Sequence, residues 1–150
     1  LATVNEPISL ALAENLAAIG IRVTINKVPG ANWRNELLKK EMPLITNTFG
    51  GWLNYPDYFF YWAYHGQNAV FNSMSYRNPQ MDALIDRSRF AEDRAEYEAA
   101  AKGFVAIAWA DVPRIPLFQP NLNVAMQQSI QGYRYWFHRQ LDYRTLSKTA

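Results

Sequence analysis

The chain has 150 residues and no cysteine. A disulfide frame and a thiolate metal site are therefore excluded, while the redox compartment stays open. No apolar run approaches the ~20 residues that a membrane-spanning helix needs. Charge of one sign is never concentrated: fifteen basic and thirteen acidic residues are scattered, leaving a net charge of +2. That excludes the footprint of a nucleic-acid-binding protein. The two histidines, His65 and His138, lie far apart, and neither has a metal-ligand neighbour at helical spacing. Glycine is sparse, and the Gly50-Gly51 pair lacks the Lys and Ser/Thr of a phosphate loop. No nucleophile elbow occurs. Carboxylates gather between positions 82 and 98 but alternate with arginine, the pattern of a solvated helix face. The expectation is a protein that is not an enzyme and holds no metal or cofactor.

What is present describes a globular unit. Apolar residues make up 49% and charged residues 19%, and the length suits one domain, 1–150, with one core. In "EPISLALAENLAAIGIRVTI", Ile8, Leu12, Leu16 and Ile19 recur at helical spacing. Asn5 is the expected cap, Pro7 falls in the first turn, and Gly20 is the expected left-handed stop. Ile21, Val23 and Ile25 then alternate with polar residues, which predicts a strand. A second helix is expected over 31–40, broken by Met42-Pro43, and "LITNTF" (44–49) reads as the next strand. With a further strand expected just ahead of Leu1, the order predicts parallel pairing through right-handed crossovers. A short helix over 56–65 precedes an Asn- and Ser-rich loop. Asn78-Pro79 opens a helix that puts Met81, Leu84 and Ile85 on one face. A longer helix covers 91–111, its apolar end "GFVAIAWA" expected to be buried. "RIPLFQP" and "NLNVAMQQ" read as two short strands, and the aromatic, basic tail has no long period. The fold class expected is α/β, a mixed sheet with flanking helices. The opening "LATVNEP" reads as a strand running into a loop, and predicts a piece of a longer protein.

One segment stands apart. "GGWLNYPDYFFYWAYHG", residues 50–66, holds eight aromatic side chains and one formal charge, Asp57. Rings occupy consecutive positions from 58 to 62, so they must point in several directions. The block follows a Gly-Gly break just beyond an expected strand, the place where open α/β sheets bind ligands. Asn54 or Asp57 beside such rings supplies a polar group to orient a small molecule. The competing reading of the same rings is core, or a face that binds another protein.

The segments "NLAAIGIRVTI", "GGWLNYPDYFF", "YRNPQMDALID" and "VPRIPLFQPNLNVAM" occur in an order that resembles the family 5 extracellular solute-binding proteins, the dipeptide, oligopeptide and nickel type of ABC-importer receptor. The resemblance spans nearly the whole chain. It implies one lobe of a type II periplasmic binding protein, most of the carboxyl-terminal lobe, closing against a missing amino-terminal lobe. It also implies a membrane permease as partner and a location in the periplasm, or lipid-anchored on the outer face. Carried over by position, Trp52 matches the family's pocket-wall Trp, and Tyr55, Pro56 and Asp57 match its "YPD". Asn54 stands where peptide binders carry an Asp that pairs with the ligand's amino terminus. Tyr58 stands where Pro is common, and Thr48 and Phe49 stand where oligopeptide binders carry an Arg. The expected ligand-binding set is Trp52, Asn54, Tyr55, Asp57 and His65. His65, with Tyr61 and Tyr64 nearby, raises a haem or metal-chelate alternative. Its plainer reading is a residue that ends a helix and bonds the backbone.

Overall fold

The computed structural model of the chain describes residues 2–136 and 142–149. Five helices follow one another: α1 (Ala2–Ala18), α2 (Gly30–Lys39), α3 (Pro56–Ala63), α4 (Pro79–Arg89) and α5 (Arg94–Asp111). Near the end, β1 (Ile130–Gln131) and β2 (Ser147–Lys148) pair antiparallel, Ile130 opposite Lys148, with a short 3₁₀ turn at Tyr143–Thr145 between them. The architecture is thus helix-rich, with one small two-stranded sheet among the described residues.

The helix boundaries follow local chemistry. Gly20 ends α1 with φ of +85°. Its N–H donates to Ala17, and the Ile21 N–H reaches back to the Leu16 carbonyl, a paired closure that satisfies the last carbonyls. Asn78 caps α4 by accepting from the N–H groups of Gln80 and Met81, at 3.0 and 3.2 Å, with Pro79 in the first turn. Asp93 caps α5 in the same way, accepting from Glu96 at 2.8 Å.

The core lies where α3, α4 and α5 meet. Ala63, Tyr64, Met81, Ile85 and Phe104 are buried together, with Leu84 packed against them, so the expected apolar face of α4 is the one that is buried. At Gly103 an added Cβ would come within 3.0 Å of a Leu84 methyl, so α4 and α5 approach more closely than a side chain there permits.

Several expectations do not hold. The opening residues are helical from Ala2, so the "LATVNEP" strand ending is absent, Asn5 is not a cap, and Pro7 sits inside α1. Pro7 withholds one backbone donor there; separately, the Ser9 hydroxyl donates to the Asn5 carbonyl at 2.8 Å. Segments 21–26, 44–49, 114–120 and 121–128 form no strand. A strand needs a ladder partner for its N–H and C=O groups, and none of these segments has one among the described residues. Among the described residues no parallel sheet forms, and no strand ends at Gly50. The apolar end of α5 is also more open than expected: Phe104 is fully buried, but Val105 and Trp109 are exposed. The expected strand ahead of Leu1 and residue His138 lie outside the described residues.

Candidate functional site

The aromatic block resolves into directions set by the ~100° turn per residue of α3. Phe60 turns inward: its ring lies 4.3 Å from that of Phe104 and stacks on Tyr64 at 4.6 Å. Phe59 bridges the two sides, edge-on to the buried Tyr64 at 5.8 Å and edge-on to Phe49 at 4.7 Å, with Tyr58 beside Phe49. Tyr61 lies beneath the Arg89 guanidinium, 3.8 Å from its ring centre, and Trp62 meets Phe71 edge-on. One short helix therefore divides its rings between the core and an outer wall.

That wall lines an open cleft of about 370 Å³. Phe49, Tyr55, Tyr58 and Phe59 supply its rings, and Asn54 and Gln119 its side-chain amides. Gly51 lets the preceding turn cross over α3, because a Cβ there would sit 3.0 Å from the Tyr58 ring. No charged side chain is among the described residues lining the cleft.

The residues anticipated for ligand binding separate into three groups. Asn54 and Tyr55 line the cleft, and both stand in solvent. Trp52, 63% exposed on the same turn, is not among the lining residues. Asp57 and His65 are elsewhere.

Asp57 sits in the first turn of α3, where its charge meets the positive end of the helix dipole. Its Oδ1 accepts the Tyr97 hydroxyl at 2.8 Å. Tyr97 in turn packs edge-on against Tyr55, ring centres 6.4 Å apart. Burial, with the hydrogen bond to Asp57, pushes the Tyr97 hydroxyl up to about 12.

His65 is 2% exposed and ends the α3 segment, its N–H bonding back to the Phe60 carbonyl. Its Nδ1 accepts the Gln67 N–H at 3.2 Å, which places the ring proton on Nε2, facing Asp86 at 3.4 Å. Both nitrogens have partners and neither reaches the cleft, so the plainer reading of His65 agrees with its surroundings. Among the described residues, no group of three His, Cys, Asp or Glu side chains is placed to hold a metal.

Sequence reasoning missed three contributors. Gln119 lies in a segment read as a strand, where nothing distinguishes it. Tyr97 is the lone aromatic in the charged first half of α5, a signal that was present. Asn72 belongs to a stretch read as plain loop, yet it is buried. Its Nδ2 donates to the Tyr76 carbonyl at 2.7 Å, and its Oδ1 accepts the Tyr76 N–H at 3.0 Å. The carboxylates of 82–98 behave as expected of a solvated face: Arg87 pairs with Glu96 and Arg94 with Glu98 at the surface.

Rings and neutral amides offer contact area and hydrogen bonds, and no described residue at the cleft is a nucleophile placed beside a base. No family model matches the chain, and no solved structure matches it. Curated relatives do. The oligopeptide-binding protein AppA of Bacillus subtilis is 25% identical over 149 residues, covering 92% of this chain. The probable D,D-dipeptide-binding periplasmic protein DdpA of Escherichia coli is 28% identical over 139 residues, covering 85%. Both are named as binding proteins, and neither as an enzyme. The chain spans about a quarter of the length of these relatives, 26% and 25% respectively. Across nearly its whole length, then, this chain resembles the peptide-binding proteins of solute-binding family 5.

Proposed function

We propose that the chain is part of the substrate-binding component of an ABC importer, taking a peptide or related small ligand into a cleft between two lobes. In this reading residues 1–150 form a single domain, most of the carboxyl-terminal lobe of a type II periplasmic binding protein. The missing amino-terminal lobe supplies the opposite wall, and the loaded receptor docks on a membrane permease. The protein works in the periplasm, or lipid-anchored on the outer face of the membrane. No helix among the described residues is long and apolar enough to cross a membrane itself.

The observation that carries the reading is the open ring-lined cleft carrying Asn54 and Tyr55, on the segment whose motif resembles the family's pocket wall. Capture needs no chemistry. Tyr55 and its neighbours give a rigid apolar wall, Asn54 orients the ligand by hydrogen bonds, and closure of the second lobe completes the burial. Trp52 belongs to the same reading as an exposed ring beside the cleft, placed to stack on a ligand that extends past it.

The test is thermal stabilisation of the full-length protein by a peptide library. A ligand at a hundredfold its Kd is expected to add about 2.7 kcal/mol. Absence of any shift, together with capture of a macromolecular partner through the aromatic surface, would replace this reading with that of an interaction domain.

A further inference from the structure

We infer that this cleft selects a ligand segment that carries no charge, recognising amide groups and an aromatic or aliphatic side chain and rejecting a free ammonium. The inference rests on the proposed binding role of the same cleft and names the class of ligand it takes. Two independent observations meet in it. The first is the lining: four rings and two neutral side-chain amides, with no charged side chain among the described residues. The second is the position of Asp57, the single formal charge between Met42 and Tyr76. Asp57 is not among the lining residues, and its carboxylate is engaged instead, accepting the Tyr97 hydroxyl at 2.8 Å at the head of α3.

Tyr97 is therefore a positioning residue. It holds Asp57 by its hydroxyl and braces Tyr55 by its ring, so the carboxylate nearest in sequence to the cleft turn is occupied while the wall is supported. A ligand ammonium pressed against Phe49, Tyr58 and Phe59 would lose its water and meet ring faces, whose attraction for a cation is weaker than a carboxylate's, with no counter-charge among the described lining residues. A ligand amide meets matching donors and acceptors instead: Asn54 and Gln119 each offer an NH₂ and a carbonyl, the pattern that pairs with a peptide group. Neutral partners desolvate at small cost, and the rings accept a flat or branched side chain.

The experiment uses the full-length protein and two probes small enough to occupy this cleft alone, N-acetyl-phenylalaninamide and phenylalaninamide, which differ by a free ammonium. Calorimetry measures each Kd, and the side-chain amide NMR signals of Asn54 and Gln119 report where the probe sits. The acetylated probe is expected to bind at least tenfold more tightly and to move both signals. Asn54→Asp is expected to reduce or reverse that preference, and Tyr97→Phe, which frees Asp57 while keeping the ring, to weaken it. Equal or tighter binding of phenylalaninamide to the unaltered protein, with the same signals moving, would overturn the inference and leave the cleft as a ligand site. No binding of either probe, and no movement of those signals, would overturn the binding role of the cleft and this inference with it.

Discussion

At the scale of single residues, the cleft turn and the helix behind it answer to different forces. Tyr55 is mostly in solvent and gains little from the fold beyond its edge-on contact with Tyr97. Tyr55→Ala is therefore expected to change unfolding free energy by no more than about 1 kcal/mol, while weakening ligand binding by about tenfold. Denaturant melts and ligand titrations of the same variant separate the two effects. The tyrosines also give a readout at high pH. Tyr76 and Tyr97 are both pushed up to about 12, in each case by burial first and then by a carboxylate that accepts the hydroxyl, Asp111 and Asp57 respectively. A raised phenol favours the protonated folded state, so this stabilisation is whole below pH ~10, the unfolded value, and is lost as pH climbs towards 12. An ultraviolet titration of the nine tyrosines is expected to end in a late phase, which Tyr76→Phe and Tyr97→Phe each diminish. Asp111 runs the opposite way. The Tyr76 hydroxyl, then Asn78, hold it below the usual carboxylate range, so its contribution persists above pH ~4 and fades as acid protonates it.

At the scale of elements, stability is concentrated in α3, α4 and α5. Phe104 is wholly enclosed and touches the Phe60 ring, so Phe104→Ala is expected to cost about 3–5 kcal/mol, read by urea denaturation. Asn78→Ala removes two capping bonds and is expected to cost about 1 kcal/mol by the same measurement. Amide exchange is expected to be slow in α4 and α5 and fast over 21–26, 44–49 and 114–128, which have no ladder to protect them. The same contrast explains what the sequence disclosed. Helix punctuation is local: Asn78-Pro79, Gly20 and the spacing of Met81, Leu84 and Ile85 each specify their structure within one or two turns. Strand pairing is not local. Ile21, Val23 and Ile25 record a ribbon with two faces, but no residue among them names the neighbour that must bond to it. The small β1–β2 pair was invisible for the converse reason: two residues per strand are too few to show a period. Its geometry rests on a single position instead, Gly132, where a Cβ would fall 1.9 Å from the Thr145 carbonyl oxygen. The candidate site was legible in its turn, through the motif holding Asn54 and Tyr55. The fate of Asp57 depended on Tyr97, forty residues away, and so could not be read from the turn itself.

At the scale of the whole molecule, much apolar surface is left uncovered. Trp109, Phe90, Ile115 and Phe118 are all strongly exposed, more than a monomer usually tolerates in one chain. Sedimentation of the 150-residue chain alone is expected to show association that grows with concentration. In the proposed two-lobed protein the second lobe is expected to cover part of this surface and to keep the protein dispersed. The distribution of rings on α3 also constrains how the cleft can be reshaped. Eight residues form both the plug of the interior and the back of the cavity, so a substitution at Phe59 or Tyr58 is made one or two positions away from Phe60 and its seal on Phe104. Refashioning specificity there puts folding at risk. The turn ahead of the helix bears no such double duty, since Trp52, Leu53, Asn54 and Tyr55 all stand in water. A replacement of Asn54, which lines the cleft and stands in water, therefore alters the cavity while leaving the seal behind it untouched.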